Sequence, residues 1–100
     1  MRVVGFERPG GPEVLQVLTA PEPEPAHGEV LIQVAHAAVS PSDTMTRSGW
    51  GFEALEAFGP PYIPGWDAAG SVVASRSQRF AVGDRVAAIV RPVVDGRGGY

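Results

Sequence analysis

"VLIQVAHAAVSPSDTMTRSG", residues 30–49, decides how this chain is read. Its first half is a strand. Val30, Ile32 and Val34 share one face while Leu31, Gln33 and Ala35 take the other, the period of two that a pleated backbone imposes. The stretch Glu29 to Val39 is therefore expected to be extended, and its mixed second face predicts cover on both sides. The alternation breaks at Ser40-Pro41-Ser42-Asp43. Ser40 suits the N-cap, Pro41 the first helical position, and Asp43 opposes the positive helix end. A short helical turn through Thr44, Met45, Thr46 and Arg47 should follow, stopped by Gly49.

Toward the C-terminus, "FEALEAF" (52–58) reads as a second single helical segment, ended by Gly59-Pro60-Pro61. Ala68 to Ala74 is a strand, and "RFAVGDRVAAIV" (79–90) reads as two strand pieces around Val82-Gly83-Asp84. "DGRGGY" (95–100) is a loop. Toward the N-terminus, "APEPEPAHGE" (20–29) alternates proline with acid, which enforces an extended surface connection. Before it come a strand from Arg2 to Phe6, a turn in "RPGGPEV" (8–14), and a second strand through Val14, Leu15, Val17 and Leu18. The class is mainly β, with five or six short strands and one or two short helices. Connections of uneven length fit a partly open β-barrel better than a sandwich.

Composition narrows the function. One hundred residues make a single domain, and 13 glycines with 10 prolines favour short strands joined by turns. A net charge of −3, with arginines in no dense run, argues against a nucleic-acid or anionic-membrane binder. There is no cysteine, so disulfides and thiolate metal sites are excluded. His27 and His36 are distant from one another in sequence and suggest no metal site. No signal-peptide pattern and no apolar run of membrane-spanning length is present, so a cytoplasmic location is expected. No nucleophile elbow occurs, and "GRGGY" lacks the strand-then-helix setting of a dinucleotide fingerprint.

Four pieces now stand in order: "GGPEVL", "VLIQVAHAAVSPSDTMTRSG", "PYIPGWDAAGSV" and "FAVGDRVAAIV". Their order resembles the N-terminal GroES-like catalytic domain of the medium-chain dehydrogenase/reductase superfamily. Within it, the chain is most similar to the zinc-independent quinone oxidoreductases and ζ-crystallin-like NADPH-dependent reductases. The resemblance implies that residues 1–100 form the N-terminal part of such a domain, stopping before the last barrel strands. It also implies a separate Rossmann domain, absent from this chain, that binds most of the NADPH. The implied reaction is hydride transfer to a small-molecule quinone or α,β-unsaturated carbonyl acceptor.

In zinc-dependent cousins a cysteine ligand matches Ser40 and a Gly-His-Glu motif matches Gly65-Trp66-Asp67. A serine hydroxyl is a poor zinc ligand and an indole is none, so the resemblance implies no catalytic zinc. Many zinc-independent relatives carry Asn where Ser40 stands, and aromatic residues matching Met45 and Gly51. Ser40, Ser42, Asp43, Met45, Trp50 and Trp66 are the implied substrate and cofactor cleft. Simpler readings stand beside these. Ser40 and Ser42 serve equally as helix caps, Trp66 as a core or wall aromatic, and Trp50 with Phe52 as a pocket lining or a barrel cap. Asp43 is expected to order its loop by accepting from the Trp66 indole or from Arg47. Gly98, Gly99 and Tyr100 are expected to lead into the next barrel strand. A stand-alone, non-catalytic binding or structural module is the alternative function. If the chain ends at Tyr100, unpaired strand edges and uncovered apolar surface predict self-association into a homo-oligomer or aggregate.

Overall fold

The computed structural model describes all residues from Met1 to Tyr100. Five strands and three short helices follow in chain order: β1 (Arg2–Gly5), β2 (Gln16–Thr19), β3 (Val30–His36), α1 (Pro41–Ser48), α2 (Phe52–Glu56), β4 (Asp67–Ser75), β5 (Arg85–Ile89) and α3 (Pro92–Asp95). Every pairing is antiparallel. β1 pairs with β2, and β3-β4-β5 form a second sheet. The class is mainly β, as expected, but the two sheets stay open and do not close into a barrel. No helix is long and apolar enough to cross a membrane.

The core lies where β1 meets the Pro-rich segment before β4. Phe6 and Tyr62 exchange both backbone bonds, at 3.0 and 2.8 Å, and their rings stand 5.6 Å apart. Val14 and Leu55 complete this buried cluster, with Phe52 and Val93 packed against it. Only 15 of the 100 residues are buried, so the apolar interior is confined to this corner.

Several boundaries differ from the sequence reading. The second strand starts at Gln16, because Pro12–Val14 form a 3₁₀ turn that drives Val14 into the core. Proline favours that turn by its fixed φ and by having no amide to leave unpaired. β3 stops at His36, and its half from Gln33 to His36 is exposed rather than covered, since no other element packs over it. The helix after Ser40 is longer than one turn and runs to Ser48.

The stretch 79–90 holds one strand, not two. Its first part is a turn in which the Asp84 carboxylate accepts the Ala81 amide at 2.9 Å, while the Val72 amide donates to the Asp84 carbonyl and the Val72 carbonyl accepts from Gly83. The helix α3 was not expected. Pro92 opens it, the position where a missing amide costs nothing.

Candidate functional site

The site is built on the N-terminus of α1. Ser40 has extended backbone, Pro41 follows at the first helical position, and the Asp43 carboxylate returns to accept the Ser40 N–H at 2.8 Å. This reciprocal capping box is the arrangement the motif predicts. Asp43 is only 4% exposed, and a buried carboxylate needs its lone pairs filled. Oδ1 accepts the Gly65 N–H at 2.9 Å. Oδ2 accepts the Ser40 N–H and the Tyr100 hydroxyl at 3.0 Å, and the Ser40 hydroxyl lies 3.1 Å away.

Neither partner expected for Asp43 is used. The Trp66 indole N–H is buried with no partner. Arg47 instead donates to the Gly10 carbonyl at 2.9 Å, and the Gly10 amide bonds the Arg47 carbonyl at 3.0 Å. That clasp ties the first turn of the chain to α1.

Gly65 has φ +105°, a backbone conformation that side chains disfavour, and it is this twist that aims its amide at Asp43. One residue beyond Trp66, the Asp67 carboxylate accepts the Ala38 amide at 2.8 Å. Trp66 is thus held between two anchors to the segment 38–43, while its carbonyl accepts from Val90 at 3.0 Å. The indole sits in this position because its neighbours are pinned on both sides.

The hydroxyls of Ser40 and Ser42 lie 2.8 Å apart. Both residues are half-buried, and Ser42 Oγ has no further protein partner. Ser40, Ser42, Asp43 and the Trp66 loop are therefore brought together. Met45 and Trp50 remain at the surface, 45% and 57% exposed, joined by a backbone bond of 2.9 Å. Phe52 turns toward the core cluster. Partly buried, it packs edge-on against Tyr62 at 5.1 Å, on the flank of the core.

Tyr100 is the site residue that the sequence reading missed. The segment Gly98–Tyr100 folds back onto residues 63–67, through bonds of 3.1 Å from Gly99 N–H to the Gly65 carbonyl and from Tyr100 N–H to the Pro64 carbonyl. Burial, then the Asp43 hydrogen bond and the charges of Asp43 and Asp67, push the Tyr100 phenol up to about 12. The signal was present in the paired glycines, which mark a close backbone approach as well as a turn. A groove of about 610 Å³, lined by both sheets through residues such as Val3, Leu31, Val34 and Val73, ends at this same Tyr100.

The donor set is suited to hydrogen bonding. Two coupled hydroxyls beside a saturated carboxylate can meet a carbonyl or amide oxygen, whereas an indole nitrogen offers a metal no lone pair. The alcohol dehydrogenase GroES-like domain matches residues 26–98 of the chain. The chain belongs to that family.

This GroES-like domain is 39% identical over 87 residues to a Schizosaccharomyces pombe protein named "Probable quinone oxidoreductase", covering 84% of this chain and 25% of that protein. The solved structure of the quinone oxidoreductase from Coxiella burnetii superposes with a TM-score of 0.79 at 32% identity, covering 89% of this chain and 29% of the other. A mycobacterial protein solved in complex with NADPH superposes with a TM-score of 0.71 at 33% identity, covering 89% and 26% of the two chains. The chain thus spans about a quarter of the length of these relatives.

Proposed function

We propose that this chain is the catalytic-domain portion of a zinc-independent, NADPH-dependent oxidoreductase acting on a quinone or α,β-unsaturated carbonyl. One observation carries the reading. At the two positions where zinc-dependent cousins place ligands, this chain has Ser40, whose hydroxyl is tied into the Ser42–Asp43 network, and Trp66, an indole held between two anchors. The likeness to quinone oxidoreductases supports the acceptor class.

NADPH, when bound, supplies the hydride. The residues here that would face its nicotinamide are Ser40 and Ser42, with Trp66 as the adjoining wall. Asp43 accepts from the Ser40 hydroxyl, which in turn meets Ser42 Oγ, and Ser42 Oγ, free of other protein partners, is the group open to an oxygen that gains negative charge. Trp66 fills volume and excludes water from that side.

The test expresses the full open reading frame that carries this sequence and follows NADPH consumption with a quinone and with an enone. Activity that survives extensive chelation, in protein free of zinc by elemental analysis, is the expected result. Stoichiometric zinc, or no NADPH consumption with either acceptor class, overturns the reading.

A further inference from the structure

The link between β4 and β5, residues 76–84, ends the outer sheet in a tip that joins apolar and cationic side chains. Phe80 and Val82 stand 44% and 65% exposed there. Arg76 and Arg79 lie in the same loop and Arg85 directly follows it, all three exposed. The chain's one ion pair joins Arg97 to Glu29, so none of the three meets a carboxylate. The acid of the tip, Asp84, has one oxygen committed to the Ala81 amide at 2.9 Å. The adjoining turn is held by the Gly28 amide on the Arg76 carbonyl at 2.8 Å and by the Arg76 amide on the Glu29 carbonyl at 2.9 Å. The Glu29 carboxylate that this turn brings up is already taken by Arg97.

The loop is stapled from within. The amides of Ser77, Arg79 and Ala81 find Ser75 Oγ, Ser77 Oγ and Asp84 Oδ2 at 3.2, 3.1 and 2.9 Å. Those of Gly83 and Asp84 bond the Val72 and Ala81 carbonyls at 2.8 and 3.1 Å, and the Ser75 hydroxyl donates to the Phe80 carbonyl at 2.6 Å. Amides satisfied in this way enter a poorly hydrated layer without losing bonds to water. A loop already ordered also gives up little entropy on docking.

Net charge averages this feature away. The chain carries −3 overall, yet residues 76–85 hold three arginines against one aspartate. Charge is thus divided between a positive tip and a negative remainder, and such a distribution turns the tip toward an anionic surface. We infer that the β4–β5 tip docks on an anionic phospholipid surface, with Phe80 and Val82 entering the acyl boundary while Arg76, Arg79 and Arg85 meet the phosphates. A purely acidic partner would satisfy the arginines and leave Phe80 and Val82 in water. A phospholipid layer offers charge at its surface and an apolar interior below it. Two apolar side chains hold weakly by themselves, and each arginine adds about fivefold, so the association is reversible and salt-dependent. No residue of the proposed cleft lies in the tip, so docking and reduction are separate properties.

The test floats the full gene product with vesicles of phosphatidylcholine alone and of phosphatidylcholine mixed with phosphatidylserine. Binding to the mixed vesicles only, weakening as salt is raised, is the expected result. Arg76→Glu combined with Arg79→Glu is expected to lower partitioning about thirty-fold or more. Phe80→Ser combined with Val82→Ser should lower it about tenfold. Ile89→Ser, an exposed apolar position on the same sheet outside the tip, should change nothing. If the Phe80 variant fails to fold, the arginine pair, altered only at exposed positions, decides. Equal binding to both vesicles, binding to neither, or binding unchanged by the arginine pair overturns the proposal. So does a parent that ignores vesicles but takes up polyglutamate through these arginines, since the patch would then serve an acidic protein.

Discussion

The corner around Asp43 and the outer sheet β3-β4-β5 are held by different physics. At the corner, directed hydrogen bonds converge on one buried carboxylate, beside the small apolar cluster of Phe6, Leu55 and Tyr62. The sheet holds itself by its backbone ladders and leaves apolar side chains outside, with Val34 at 44%, Val73 at 43% and Ile89 at 84% exposure. A polar network can be complete within a short stretch of structure, because each bond needs only one partner. An apolar face is complete only when something covers it.

Substitutions should therefore cost far more at the corner than on the sheet. Asp43→Ala leaves the amides of Ser40 and Gly65 and the Tyr100 hydroxyl without an acceptor, and is expected to destabilise by about 3 kcal/mol in denaturant unfolding. Asp67→Ala, which loses one exposed bond to Ala38, should cost about 1 kcal/mol. Equal losses would remove the distinction between a convergent acceptor and a single one.

Leu55, 1% exposed, gives the apolar version of the same contrast. Leu55→Ala is expected to cost about 3 kcal/mol. Ile89→Ala should stay within about 0.5 kcal/mol in the same unfolding experiment. A large loss at Ile89 would mean that its face is covered in solution.

The sheet edge makes a prediction of its own. Ile89→Lys places a charge on β5, the outermost strand, and is expected to shift sedimentation toward smaller species. An unchanged distribution would mean that this edge makes no contact between copies.

The smallest effects are those of pH. Because the folded state raises the Tyr100 phenol from 10.0 to about 12, it holds that proton more tightly than the unfolded chain does. Its contribution is complete below pH 10.0 and is lost as pH rises through about 12, a decline that Tyr100→Phe should abolish in unfolding curves. Glu29 behaves oppositely. The Ala26 amide, and then the Arg97 charge, hold it below 4.5, so its small contribution is present above that value and fades as acid protonates it. Glu29→Gln should flatten the acid side only slightly, since the pair lies at the surface.

Much of the site was legible because it is local. Ser40, Pro41 and Asp43 declare a capping box within four residues, and the period-two run before them declares a strand. The same locality misled at Asp43, for which nearby Arg47 was one obvious partner; the other, the Trp66 indole, lies one residue from the Gly65 amide that is used. Its actual long-range partners are the Gly65 amide and the Tyr100 hydroxyl, 22 and 57 residues away in sequence. No local pattern announces a bond of that span. The helix α3 and the 3₁₀ turn at Pro12–Val14 were missed for a related reason: they are too short to show a period, and proline alone marks them.

By itself, then, the sequence determined most of the strands and the helix cap, since these follow from residue chemistry and spacing. Only the tertiary structure decided that two sheets stay open, that Phe52 packs against the core, and that Tyr100 reaches Asp43. Those outcomes depend on which distant segments come into contact, and glycines that let backbone lie on backbone permit such contacts without specifying them.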